Sequence, residues 1–282
     1  MPPLTRRAAL RLGAGAVAGA AGTWALGALL DPTQATPSPA PFEPPAVSTT
    51  PTRLSGSFVS AARNGMTTNW VIALPPGQNT ALRPVIALHG RSGSANTVIE
   101  LGAEDALAKL VASGRPPFAV VGVDGGDHSY WHRRVSGEDA GTMVLGELLP
   151  LLTSKGFDTS RVGFLGWSMG GYGALLLGAR LGTPRTAGIC AVSPALWTTY
   201  AGSDAGAFDS YQDWTRNSVW GLPGLSSIPI RVDCGTSDRF YPAAREFATQ
   251  LRTPPSGGFS AGGHDVSYWR QQLPAELDWL AS

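Results

Sequence analysis

The sequence Gly166-Trp167-Ser168-Met169-Gly170-Gly171 constrains this chain more than any other segment. It follows a short apolar run, Arg161 to Trp167, and precedes a helical one, Tyr172 to Arg180. Gly-x-Ser-x-Gly between a strand and a helix is the pattern of a nucleophile elbow. A serine hydroxyl attacks poorly unless it is held exposed beside a base. A sharp turn does the holding, and glycines flank it because a Cβ would clash with the crowded backbone. The pattern also arises by chance in Gly-rich chains, so the strand-turn-helix context carries the reading.

The elements around the elbow alternate. Strands are expected at 54–61 and 67–74, joined by the hairpin signal Arg63-Asn64-Gly65. Further strands are expected at 84–88, 118–123, 161–167, 186–192, 228–234 and, weakly, 258–260. Helices are expected at 104–113, 140–153, 172–180, 243–251 and 266–280, with an irregular insert at 194–223. This order predicts an α/β fold with a mostly parallel sheet, helices on both faces and an antiparallel N-terminal hairpin.

A chain of 282 residues suits one such domain with appended segments. With 43% hydrophobic and 15% charged residues it can bury a large core. The net charge is +1 and there is no basic stripe, which argues against a nucleic-acid partner. Lysine occurs only at 109 and 155. Cys190 and Cys234 lack a metal-ligand spacing. Both fall in expected strands and read as buried thiols, with a disulfide as the alternative in an oxidising compartment.

Arg6-Arg7 precedes an uncharged stretch of Gly, Ala, Leu and Val from Leu12 to Leu30. Residues 1–31 therefore read as a twin-arginine export signal, with Thr33-Gln34-Ala35 as the cleavage region. The alternative is an uncleaved anchor, since the stretch approaches the roughly 20 residues that span a bilayer. Only that segment would contact a membrane, and either way the domain is expected outside the cytoplasm. No cysteine follows the apolar run, which argues against a lipid anchor. Residues 32–52 are a Pro-rich linker, and the catalytic domain is expected at 53–282.

A serine nucleophile needs a base, and the base needs an orienting carboxylate. In α/β-hydrolases the order along the chain is Ser, acid, His. Of the four histidines, 89, 128, 132 and 264, only His264 follows Ser168. Between them stand Asp204, Asp209, Asp213, Asp233, Asp238 and Glu246. Asp238 follows the end of a strand, where ligand-facing groups of open α/β sheets sit. It is the favoured acid, with Asp233 in reserve. The oxyanion hole is expected from the backbone N–H groups of Met169 and Arg91. His89 is expected to steady the Arg91 loop.

These segments, His89-Gly90, Gly166 to Gly171, Cys234-Gly235-x-x-Asp238 and Gly263-His264-x-x-x-Tyr268-Trp269, together resemble the esterase branch of the α/β-hydrolases. That branch holds esterase D-like enzymes, feruloyl esterases and the secreted mycolyltransferases of mycobacteria. The resemblance covers about residues 54–282. It implies the α/β-hydrolase fold, carboxylic-ester chemistry without a cofactor, and Ser168, Asp238 and His264 as the triad. The chain departs from the mycolyltransferases in its aspartate acid, and its insert is short for a lipase lid. The Arg-rich composition and export signal fit an actinobacterial source.

The sequence therefore reads as an exported serine esterase for short- to medium-chain acyl esters, whose substrate is a small-molecule or lipid ester. Acyl transfer to a sugar or lipid alcohol uses the same triad, and a non-catalytic envelope protein on this fold is a third reading. A peptidase would need a peptide subsite that is not evident. The loop 127–134 is expected to border the pocket through His128, Trp131 and His132, with a capped surface loop as the alternative, and Trp197, Trp214 and Trp220 to roof the pocket or to pack the insert. His128 and His132 are spaced i, i+4, but no helix or third ligand suggests a metal.

Overall fold

The computed structural model describes residues 52–78 and 81–282. The export signal and nearly all of the linker lie outside the described residues. Among those described, no helix is long and apolar enough to cross a membrane.

Eight strands form one sheet in the order β1-β2-β4-β3-β5-β6-β7-β8. They are β1 (Thr52–Ser60), β2 (Met66–Leu74), β3 (Pro84–Leu88), β4 (Ala119–Val123), β5 (Val162–Trp167), β6 (Thr186–Val192), β7 (Ile230–Gly235) and β8 (Ser256–Ser260). β1 pairs antiparallel with β2, and β2 antiparallel with β4; every other pairing is parallel. β3, β4 and β5 are buried along their whole length, as apolar strands covered on both faces must be.

Side chains alternate across the sheet, so one strand feeds two cores. Ile86 and Phe164 point to the face that carries the helical stretch 140–154, α5 (Met169–Leu181) and α7 (Tyr241–Gln250). Val85 and Leu165 point to the other face, under α2 (Ala103–Ala112) and α8 (Val266–Leu280).

Most differences from expectation have local causes. A one-turn helix, α1 (Thr97–Glu100), precedes α2. The helix expected at 140–153 is built from α3 (Ala140–Thr142), a π-helical turn at Met143–Leu148 and α4 (Leu149–Ser154). Periodicity does not distinguish that wider turn. The insert is less irregular than expected, since it contains α6 (Tyr211–Asn217). Its start signal is Ser210, whose side chain accepts from the Asp213 N–H and caps the first turn.

Cys190 and Cys234 are free and buried, so the disulfide alternative is not realised. Cys190 belongs to the core under α8 and Cys234 to the opposite one, which keeps the two thiols on different faces.

Candidate active site

Ser168, Asp238 and His264 each follow the carboxyl end of a parallel strand, β5, β7 and β8 respectively. The sheet thereby gathers at one edge three residues spread over 96 positions. His264 Nε2 lies 2.9 Å from Ser168 Oγ. His264 Nδ1 lies 2.8 Å from Asp238 Oδ2. Exposure is graded along the relay: the Asp238 side chain is fully buried, and 23% of His264 is exposed.

The elbow explains the serine. Ser168 has φ 56°, the left-handed region that L residues avoid and that a nucleophile elbow requires. Its N–H donates to Val192 O of β6 at 3.0 Å, and its carbonyl accepts from Tyr172 N and Ala195 N. α5 starts at Met169, directly after the nucleophile rather than at Tyr172. A helix's first N–H groups have no intrahelical acceptor, so the Met169 N–H is free to serve a ligand.

Two glycines permit the turn. A Cβ on Gly170 would stand 1.8 Å from Leu88 O, and one on Gly166 would stand 2.1 Å from Gly170 O. The same closeness brings the His89 loop to the elbow. A Cβ on Gly90 would lie 3.2 Å from Trp167 O and 3.4 Å from Ser168 Cβ. The Arg91 backbone follows directly.

His89 is buried behind this loop. Gly125 N–H donates to its Nε2 at 2.8 Å, so the ring proton sits on Nδ1 and donates to Gly90 O at 2.7 Å. Burial pushes its pKa down, which keeps the ring neutral in that tautomer. Trp131 Nε1 donates to His89 O, and its ring meets the His89 ring edge-on.

Asp238 and His264 are joined through backbone. Thr236 N donates to Ser260 O and Ser237 N to Gly262 O, which ties the acid loop to the base loop. Asp265 caps α8 by accepting from Tyr268 N, and so fixes where the chain enters the helix directly after His264. Burial raises the Asp238 pKa, but the hydrogen bonds from His264 and the Phe240 N–H outweigh it, and the net shift is downward. The acid thus stays ionised beside the imidazole. Phe240 and Trp269 pack edge-on against the His264 ring, with centroids 5.1 and 5.2 Å away. Neither has a role from sequence alone, although Phe240 stands two residues after Asp238 and Trp269 belongs to the segment that begins at Gly263-His264.

The other acidic residues between serine and histidine are engaged elsewhere. Asp233 is paired with Arg231 at 2.6 and 3.0 Å. Asp204 is bound by Arg239 and Asp209 by Arg134. Asp213 accepts from Asn217 inside α6, and Glu246 accepts from Gln250.

The expected pocket residues divide. His128 is exposed at the rim, 3.0 Å from Asp127 and 3.4 Å from an Arg91 guanidinium nitrogen. Trp131 and His132 are fully buried and present no surface to a ligand, contrary to expectation. Trp131 fills the space beside Gly125 and Gly173. His132 is stacked on Phe208, with Nδ1 3.0 Å from the Arg133 carbonyl as its nearer acceptor. Both look inward because their loop turns back under the insert, where Arg134 binds Gly206 O and Asp209.

Trp197 lines a cavity of about 410 Å³ with Leu196, Asp204, Arg239 and Phe240. It packs on Phe240, which in turn packs on His264, so the Phe240 ring stands between this cavity and the base, and no triad residue lines it. Trp220 lies behind it, donating from Nε1 to Trp197 O and packing on Phe247. Trp214 stacks on Tyr211 within the insert.

A family profile described as "Putative esterase" matches residues 61–280. No curated protein matches the chain by sequence. Solved structures share its fold. A ferulic acid esterase is 23% identical, with a TM-score of 0.72, covering 82% of this chain and 98% of its own. An S-formylglutathione hydrolase from Agrobacterium tumefaciens is 18% identical, with a TM-score of 0.70 and coverages of 83% and 96%. A fluorophosphonate-binding serine hydrolase from Staphylococcus aureus is 20% identical, with a TM-score of 0.66 and coverages of 83% and 99%.

Proposed function

Since the chain belongs to the Putative esterase family of α/β-hydrolases and is a carboxylic-ester hydrolase, we propose that Ser168, His264 and Asp238 carry its chemistry, acting on short- to medium-chain acyl esters outside the cytoplasm. The observation that carries this reading is the unbroken relay from Asp238 Oδ2 through the imidazole to Ser168 Oγ, at 2.8 and 2.9 Å.

His264 Nε2 takes the serine proton as Oγ attacks the ester carbonyl. Asp238 holds the Nδ1–H tautomer and stabilises the imidazolium that forms. The tetrahedral oxyanion is received by the N–H groups of Met169 and Arg91. The imidazolium then gives its proton to the departing alcohol, leaving an acyl-enzyme. Water, deprotonated by the same nitrogen, attacks the acyl carbonyl, and the acid leaves with Ser168 restored. The loop held by His89 and Trp131 aims the Arg91 amide before substrate arrives, so no reorganisation is needed at the moment of reaction.

The acyl group enters the cavity beside Trp197 and Phe240. Its size, with Trp197 and Phe240 on one wall and Thr198, Thr199, Asp204, Arg239 and Glu246 among its other lining residues, supports small acyl chains and extends to planar, polar-substituted aromatic acids of the ferulate type named for one structural neighbour. Export is supported by Arg6-Arg7 and the uncharged stretch that follows.

A panel of nitrophenyl esters from acetyl to palmitoyl, with methyl ferulate added, tests the substrate reading on the full chain. The highest kcat/KM is expected between acetyl and octanoyl, with measurable ferulate turnover. A maximum at palmitoyl would overturn it.

A further inference from the structure

On the face of the sheet that carries α8, three side chains far apart in sequence meet. They are Cys190 of β6, Asp233 of β7 and Glu276 of α8. Their ligand atoms all lie within 4.8 Å of one another, and all three residues are buried. Glu276 has no exposed surface, and neither of its carboxyl oxygens has a hydrogen-bond partner among the described residues. Such a group costs free energy unless something meets it. Asp233 is already steadied by Arg231.

The donor set has the composition of a metal site. Thiolate with carboxylate oxygen suits zinc and its neighbours, whereas an all-oxygen cage would suit magnesium or calcium. The charges also balance. One thiolate and two carboxylates facing one guanidinium leave two negative charges, which a single divalent cation neutralises. Arg231 takes the outer position, bonded to a ligating carboxylate, as partners of metal-bound carboxylates do.

We propose that Cys190, Asp233 and Glu276 form a buried structural site for a divalent cation of the zinc type. Binding releases the Cys190 and Glu276 protons to solvent and involves no redox change. A water completes the four-fold coordination usual for zinc. Without a cation, burial pushes the Cys190 and Glu276 pKa values up, and the cation offsets that push. The site stands apart from the triad. It ties β7, which leads into Asp238, to α8, which follows His264, and so braces the acid and base from behind.

The test uses the full chain grown in zinc- or cobalt-supplemented medium, so that metal enters during folding. After dialysis against a weak chelator, elemental analysis is expected to find about one zinc per chain. Cobalt-grown protein is expected to show thiolate-to-cobalt charge-transfer absorption. Cys190→Ser should remove both signals and Cys234→Ser should keep both. If Cys190→Ser does not fold, Glu276→Gln takes its place, and the unsubstituted protein decides alone through its metal content. Zinc well below stoichiometry without the cobalt band, or metal retained by Cys190→Ser, would overturn the proposal.

Discussion

His264 Nε2 stands 2.9 Å from Ser168 Oγ across 96 residues of chain, because β5 and β8 end at the same edge of the sheet. Neither loop could set this contact alone. The elbow aims the serine outward, while the Asp265 cap and the Phe240 and Trp269 rings hold the imidazole against it.

The two aspartates around β7 separate function from structure. Asp238→Asn should reverse the preferred imidazole tautomer and lower kcat by about 10⁴-fold, with little change in melting temperature. Asp233→Asn should instead act mainly on stability, costing roughly 1–3 kcal/mol as Arg231 loses its charged partner, with a much smaller fall in kcat. Steady-state kinetics and urea titration on both variants check the pair.

Gly170→Ala tests the elbow's packing. Its Cβ would meet Leu88 O at 1.8 Å, and backbone cannot give way there as a flexible side chain could. The variant is expected to lose about 3 kcal/mol or more and to lose turnover even where it folds. Circular dichroism melts alongside ester hydrolysis distinguish this from a simple surface effect.

Acid should destabilise the fold through His89 and His132. Burial lowers both pKa values in the folded protein. The unfolded imidazoles take up protons near pH 6.5, so below that pH the unfolded chain binds more protons and folding stability falls. Calorimetric melting temperatures are expected to drop between pH 7.5 and 5.5. His132→Gln should flatten that slope.

Trp197 should set acyl preference. Removing its ring from the cavity wall in Trp197→Ala should raise KM for ferulate esters about 5- to 10-fold, or about 1–1.4 kcal/mol, with a smaller effect on acetyl esters. Substrate-saturation curves for both esters give the comparison.

Replacing Arg6 and Arg7 by Lys should retain the protein inside the cell, because the paired arginines are what a twin-arginine exporter reads. Cell fractionation with an antibody to the chain reads the outcome.

Much of this site was legible in the sequence because its chemistry is ordered along the chain. One histidine after the serine left one base, and the end of β7 favoured Asp238 over Asp233. The alternating apolar runs were enough to predict the parallel sheet and its antiparallel hairpin. The directions of loop side chains were not legible. Trp131 and His132 are polar-tipped and stand after a strand, as pocket residues do, yet Arg134 folds their loop inward. The Cys190–Asp233–Glu276 meeting was hidden for a related reason. It depends on register between β6 and β7 and on the approach of α8, which no local spacing records.

Covalent labelling tests most directly that Ser168 is the nucleophile. Intact protein treated with a fluorophosphonate probe should gain one adduct, mapped by peptide mass spectrometry to Ser168. Ser168→Ala should take up none and lose nitrophenyl acetate turnover while melting like the parent. An adduct on another serine, or unchanged turnover in Ser168→Ala, would contradict the account.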